Sequence, residues 1–320
     1  AQRAKLVEFI VERADVVLQN LRPGQAEAIG LGPSALRAKK PSLVYCNIGA
    51  FGAKGPLADR PGYDPLMQAF GGIMSVVGEQ GRPPVRVGPS IIDMGTGLWG
   101  SVGIISALYR RRETGEGAVV DVSLFETAAA WMTMYAAQYQ ASGNLPVRYG
   151  SGQTGIAPYK AYRTKDGDLV VAAGNDSLFR KFCGVLGHEE WAREERFRDN
   201  PTRVANAEAL YALLDAEMIK RTNAEWTKLL DAAGVPCGKI NSVKQALDDP
   251  QTAARNMIVD AKHPKIGDLK LVGTPFKLND TPTSVRRAPP LLGEHADEIL
   301  RHELGMSEEE IAALRRDKVL

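Results

Sequence analysis

Short β-branched runs alternate with helix-length segments through the first 140 residues, and this alternation constrains the fold more than any other feature. "ADVVLQN" (residues 14–20) and "SLVYCNIGAFG" (42–52) read as buried strands, with "GPSALRAKK" (32–40) as the helix between them. "GYDPLMQAFGGIMSVVG" (62–78) continues as a helix. "GAVVDVSLFETAAAWMTMYAAQYQ" (117–140) supplies another strand and a long apolar helix. Strand–helix–strand order of this kind predicts an α/β fold with a parallel sheet and covering helices. Leu6, Phe9, Ile10 and Arg13 open the chain at helical spacing. The sheet is therefore expected to lack its usual first strand and the ligand-binding loop behind it.

After residue 143 the character changes. "YKAYRT" and "DLVVAAG" read as antiparallel strands joined at "KDG". Helices follow at 176–187, 206–221 and 223–234, the last with a glycine stop. "VPCGKINSV" and "LKLVGTPFKL" read as further short strands. "APPLLGEHADEIL" then leads to a final helix opened by Ser307, with Glu310 completing a capping box. The expected domains are 1–142, a large domain; 143–270, a small α+β domain with linkers; and 271–320, a return connector and C-terminal helix of the large domain.

Forty basic against thirty-eight acidic residues leave a net charge of +2, which argues against a nucleic-acid partner. No run reads as a membrane span or a signal peptide. Cys46, Cys183 and Cys237, with four scattered histidines, form no metal signature. They are expected to be free thiols in a reducing cytoplasm.

"PSIIDMGTGLWGSVGIISALYRRRETG" (89–115) sets Asp93 between an apparent strand end at Ile91 and Ile92 and a helix carrying Leu98, Trp99, Val102, Ile105 and Leu108. An aspartate at such a join serves either as a helix cap or as a reactive carboxylate. Arg22 in "QNLRPG" is either a phosphate contact at a strand's C-terminal end or a surface arginine in a turn. Tyr63 and Asp64 either face a pocket or, with Pro65, open a helix. "YGSGQTG" (149–155) is either a loop closing over a reacting group or an interdomain linker, and Glu126 is expected in a first helical turn.

In order along the chain, "ADVVLQNLRPG", "LVYCNIGAFGAKGP", "GYDPLMQAFGGIMSVVG", "IIDMGTGLWGSVGIISALYRRRETGEG", "VDVSLFE", "PYKAYRTKDGDLVVAAGND", "AGVPCGKINSV" and "RRAPPLLGEHADEIL" resemble the class III CoA-transferase family. That group includes carnitine- and formyl-CoA transferases and α-methylacyl-CoA racemase. The resemblance implies a Rossmann-like large domain with an inserted smaller domain and an interlinked homodimer. It also implies an N-terminal strand–helix unit preceding Ala1.

By the same resemblance Asp93 is the nucleophile that exchanges CoA between an acyl-CoA donor and a carboxylate acceptor. It would do so through acyl-aspartyl anhydride and aspartyl-CoA intermediates, which conserve the thioester's energy. Asn20, Leu21, Arg22, Gly62, Tyr63 and Asp64 would line the CoA site. Gly150, Gly152 and Gln153 would belong to a loop covering Asp93, with Tyr63 and Asp64 in support. CoA enters as substrate, succinyl-CoA being the donor the family suggests, and no metal or permanently bound cofactor is implied. The racemase branch has histidine where this chain has Tyr63, and phenols hold their proton at neutral pH. A 2-methylacyl-CoA racemase is therefore the alternative, and a non-catalytic CoA-binding remnant is a second one.

Overall fold

The computed structural model describes residues 2–281 and 284–317, in two compact units, 1–239 and 240–320. In the first unit a helix, Gln2–Arg13, leads into β1 (Val16–Gln19). Two short helices, Gln25–Ala28 and Pro33–Lys39, then precede β2 (Val44–Gly49). β3 (Val119–Ser123) closes the sheet after helices Asp64–Phe70, Ile73–Val76 and Ile91–Thr114. The order is β1-β2-β3, all parallel, with Val16 opposite Val44 and Tyr45 opposite Val119. The parallel sheet with covering helices is the mixed α/β arrangement the alternation predicts.

Central β2 is the apolar strand. Val44, Tyr45 and Cys46 are fully buried, and the Tyr45 hydroxyl donates to the Leu31 carbonyl at 2.7 Å. β1, predicted to be buried, is an edge strand of the described sheet with Leu18 53% exposed. The Ile91–Thr114 helix lies along β2 and β3 on its small residues. A Cβ at Gly103 would meet Val120 at 2.6 Å, and one at Gly95 would meet Thr127 and Trp131 at 2.9 Å. Only glycine permits that approach.

Several readings need correction. Ile91 and Ile92 are not the end of a strand: the helix already begins at Ile91, so Asp93 lies within its first turn. The 62–78 helix is broken at Gly71 and Gly72, the latter at φ +89°, and the helix after β3 is broken at Met132 into Leu124–Trp131 and Thr133–Ser142. Strand Ile258–His263 is not evident in the sequence because Asp260, Lys262 and His263 leave it few apolar residues to mark it. Ile91–Thr114 is also long and apolar enough to cross a membrane, by length and composition only. One side packs on β2 and β3, while Leu98, Trp99, Val102 and Ile105 face outward.

Later in this unit β4 (Tyr159–Arg163), β5 (Asp168–Ala172) and β6 (Cys237–Lys239) form an antiparallel sheet over the predicted helices. Their core includes Tyr162, Phe179, Phe182, Leu214 and Trp226. Arg203 is wholly buried there. It donates to the carbonyls of Ala157, Phe197 and Gly174 and pairs with Asp176 at 2.8 Å, which compensates the burial of its charge.

The second unit holds a hairpin, β7 (Ile258–His263) with β8 (Gly267–Val272). It also holds the helix Glu308–Arg316, where Ser307 and Glu310 make the predicted capping box.

Candidate active site

A cavity of about 380 Å³ opens at the C-terminal ends of β1 and β2, where ligands of open parallel sheets dock. Local hydrogen bonds shape its rim. Gln19 Nε2 donates to Asn47 Oδ1 at 2.7 Å across the strand ends. Gln19 Oε1 accepts from the Leu21 amide at 2.6 Å, and Gln25 Oε1 accepts from the Arg22 amide. Gly24 turns the chain at φ +79°, which a residue with a Cβ would resist. On the facing wall the Ala53 amide donates to Asp121 Oδ2. Asn20, Leu21, Arg22, Gly62 and Tyr63 all line this space, as does Arg60. Among the described residues neither Arg22 nor Arg60 forms an ion pair, although Glu27, Asp59 and Asp121 line the same cavity.

Asp64 does not line the cavity. It is 2% exposed, with both carboxylate oxygens occupied. Oδ2 accepts the Ile92 amide at 2.8 Å and the Asp93 amide at 3.3 Å, and Oδ1 accepts Gln68 Nε2 at 2.7 Å. These bonds settle what caps the Ile91–Thr114 helix. Ser90, at the N-cap position, makes no side-chain cap bond. The Ile91 amide reaches the Pro89 carbonyl, the Met94 amide reaches the Ser90 carbonyl, and the two between are held by Asp64. Every first-turn donor is therefore satisfied.

Asp93 is free of capping duty. Its carboxylate is exposed and accepts no hydrogen bond from any described residue. Desolvation, with the Asp64 charge second, raises its pKa above the ordinary aspartate value. Asp93 thus offers an exposed, unpaired carboxylate on a helix's first turn, held in place through its backbone.

Tyr63 is 71% exposed and precedes the Asp64–Phe70 helix as its N-cap residue. Glu126 sits in the first turn of Leu124–Trp131, as expected. Its Oε2 accepts the Ser123 hydroxyl at 2.7 Å, and its amide donates back to Ser123 Oγ. The glycine loop is docked rather than free. The Gly150 amide donates to the Gly78 carbonyl at 2.8 Å, Tyr149 bridges to Glu79, and Ser151 Oγ accepts the Ala161 amide. Gly152 bonds only within the loop, to the Tyr149 carbonyl, and Gln153 is half-buried. No hydrogen bond among the described residues joins this loop to Asp93.

Sequence reasoning passed over Gln68 and Arg60. Gln68 is fully buried, and its Oε1 accepts the Val87 amide at 2.8 Å while Nε2 serves Asp64. The signal for it was the Asp64–Gln68 spacing of four, one turn apart on a single helical face.

The sequence matches CoA-transferase family III over residues 1–296. Acetyl-CoA:oxalate CoA-transferase of Acetobacter aceti is 38% identical over 292 residues, 90% of this chain and 74% of that protein. Succinyl-CoA:glutarate CoA-transferase of Mus musculus is 32% identical over 310 residues, 97% of this chain and 71% of that protein. Among solved structures, a CAIB/BAIF family protein from Brucella suis superposes with a TM-score of 0.82 at 38% identity, covering 94% of this chain and 78% of that one. The match spans Arg22, Tyr63, Asp64 and Asp93 together. The chain belongs to CoA-transferase family III.

Proposed function

We propose that the chain transfers coenzyme A from an acyl-CoA thioester to a free carboxylic acid, with Asp93 as the nucleophile. The observation that carries this is an exposed first-turn carboxylate whose helix is capped by another residue. An Asp93 oxygen attacks the thioester carbonyl carbon, the C–S bond breaks, and CoA leaves as thiolate with an acyl-aspartyl anhydride behind. The thiolate then attacks the Asp93 carbonyl carbon, releasing the donor carboxylate and leaving aspartyl-CoA. The acceptor carboxylate opens that thioester to a second anhydride. Thiolate attack on the acceptor's carbonyl completes the product and restores Asp93. Each intermediate remains activated, so no outside energy is consumed.

Arg22 and Arg60 hold the CoA phosphates in the 380 Å³ cavity, with Asn20, Leu21, Gly62 and Tyr63 on its walls. Asp64 supports Asp93 rather than touching CoA. Gly150, Gly152 and Gln153 cover the reacting carbonyl. CoA is a substrate, and no permanently bound cofactor takes part. The oxalate and glutarate of the relatives' names are dicarboxylates, which makes dicarboxylic acids the acceptor class to test first.

The same reading assigns residues 1–142 and 271–320 to a Rossmann-like large domain and 143–270 to a smaller inserted one, in a cytoplasmic enzyme that forms an interlinked homodimer. The outward apolar residues of Ile91–Thr114 support the dimer.

The test is to incubate the protein with acyl-CoAs, quench with hydroxylamine and weigh the peptide carrying Asp93. A hydroxamate there establishes the covalent aspartate. No adduct, with deuterium entering a 2-methylacyl-CoA from heavy water, replaces transfer by racemisation.

A further inference from the structure

The Asp64–Phe70 helix presents two buried polar side chains one turn apart, and together they reach both sides of the Asp93 turn. Gln68 grips the segment leading into the reactive helix: its Oε1 accepts the Val87 amide at 2.8 Å and its Nε2 lies 3.3 Å from the Val87 carbonyl. The same Nε2 donates to Asp64 Oδ1, and Asp64 Oδ2 holds the Ile92 and Asp93 amides. The bonds through Gln68 and from the Asp93 turn converge on Asp64. An amide of residue 87 gives to Gln68, Gln68 gives to Asp64, and Asp64 accepts from the Asp93 turn. Both side chains are essentially inaccessible to water, so a mismatched donor or acceptor has no solvent to fall back on.

Resting on the reading of Asp93 as nucleophile, we propose that Gln68 and Asp64 form a positioning relay that fixes the Asp93 turn and places one negative charge beneath it. Neither touches substrate in this account. They act through the backbone of residues 87–93 and through the charge on Asp64. Other charged groups near this turn are engaged elsewhere. Glu126, on the packed helix Leu124–Trp131, is bonded to Ser123. Asp121 of β3 accepts from the Ala53 amide, and Arg86 donates to the Gly88 carbonyl. The Asp64 charge is thus the neighbour that opposes Asp93 ionisation, in addition to burial.

The direction of the Gln68–Asp64 bond makes the relay testable by exchange. In Asp64→Asn the new amide group faces the Gln68 amide, donor against donor, and in Gln68→Glu two carboxylates meet in a buried site. The combined Asp64→Asn/Gln68→Glu variant restores the bond between the two side chains, while the Val87 carbonyl loses its 3.3 Å donor. The amide nitrogen introduced at position 64 donates to the carboxylate introduced at position 68, which still accepts the Val87 amide. The exchange also moves the negative charge one side chain farther from Asp93.

Each single variant is expected to lose roughly 100-fold in kcat with KM for acyl-CoA little changed, as a displaced reacting group does. The double variant is expected to recover to within about tenfold of the unmodified chain, with the acid limb of its pH–rate profile moved to lower pH. Carbodiimide labelling of Asp93 across pH, read by peptide mass, reports the same shift without requiring turnover. A double variant as poor as the product of the singles, or an unmoved Asp93 titration, overturns the relay. Should a single variant not fold, Gln68→Met takes its place. It removes the donor to Asp64 at similar volume, and retention of full kcat there overturns the relay as well. Failure of the underlying reading looks different: hydroxylamine then finds no adduct on Asp93 in the unmodified chain, while the labelling shift persists.

Discussion

The helix Glu308–Arg316 is capped by its own flank, and the helix Ile91–Thr114 is capped by Asp64, 28 residues before Ile92. Ser307 and Glu310 exchange side chains and amides within one turn of sequence. At the other helix Ser90 stands in the N-cap position unused, and Asp64 reaches in to take the Ile92 and Asp93 amides. A local cap fixes only where a helix starts. A cap from another helix also fixes where that start sits against its neighbour, and it leaves the helix's own first-turn carboxylate with no structural task. The two arrangements teach that a carboxylate released from capping is a better guide to chemistry than a carboxylate at a helix start.

Substitutions at these two helices and at the cavity break or sharpen this contrast, in falling order of effect. Asp93→Ala should abolish CoA transfer, by at least about 10⁴-fold, and abolish the hydroxylamine-trapped adduct. Its denaturation midpoint should barely move, because the carboxylate makes no bond; a large loss of stability would mean that Asp93 has a structural task after all. Asp64→Ala should do the opposite in proportion, costing about 3 kcal/mol in chemical denaturation because it strips buried amides and Gln68 of their acceptor. Activity should fall with it, and a fully active, fully stable variant would refute capping from a distance.

Arg22→Ala and Arg60→Ala should each raise KM for acyl-CoA roughly tenfold while leaving kcat near its original value, the signature of lost ground-state contact. Steady-state kinetics with one acyl-CoA suffices, and an unchanged KM moves the phosphates elsewhere. Ser307→Ala should cost about 1 kcal/mol in the same denaturation assay with transfer unaltered, the counterpart of Asp64→Ala at a helix with no reactive group.

The smallest effect concerns pH. The Asp93 pKa is raised in the fold, so the folded state holds that proton more tightly than the unfolded chain. The stability this contributes is fully present below the unfolded-state value and is lost as pH rises through the folded one. Asp93→Asn should therefore melt slightly higher than the unmodified chain at pH 7, and the difference should vanish in acid. The same upward shift moves the acid limb of transfer to higher pH than an ordinary aspartate would set.

Much of the fold was legible because its signals are local. The three parallel strands, the hairpin at "KDG", the glycine stop at Gly234 and the capping box at Ser307 all stand in the structure where the sequence has them. Misreadings arose where a neighbour decides. Ile91 and Ile92 have the side chains of a strand, but they turn helical because Asp64 supplies the acceptor their turn requires. β1 is as apolar as β2, yet it lies at an edge of the described sheet while β2 lies at its centre. Of the site, Asn20, Leu21, Arg22, Gly62 and Tyr63 were found in sequence and share one cavity. Gln68 was not: its spacing of four from Asp64 hints at that bond, but nothing local says that it will also grip the Val87 amide.

The sequence by itself determined most of the element types, the parallel α/β class and the family, since periodicity, caps and turn residues act over a few positions. Only the tertiary structure decided that Asp64 serves the Asp93 turn and that Arg22 and Arg60 share a cavity. Those relations join residues 28 or more positions apart, and spacing along the chain does not say which buried carboxylate will meet which unsatisfied amide.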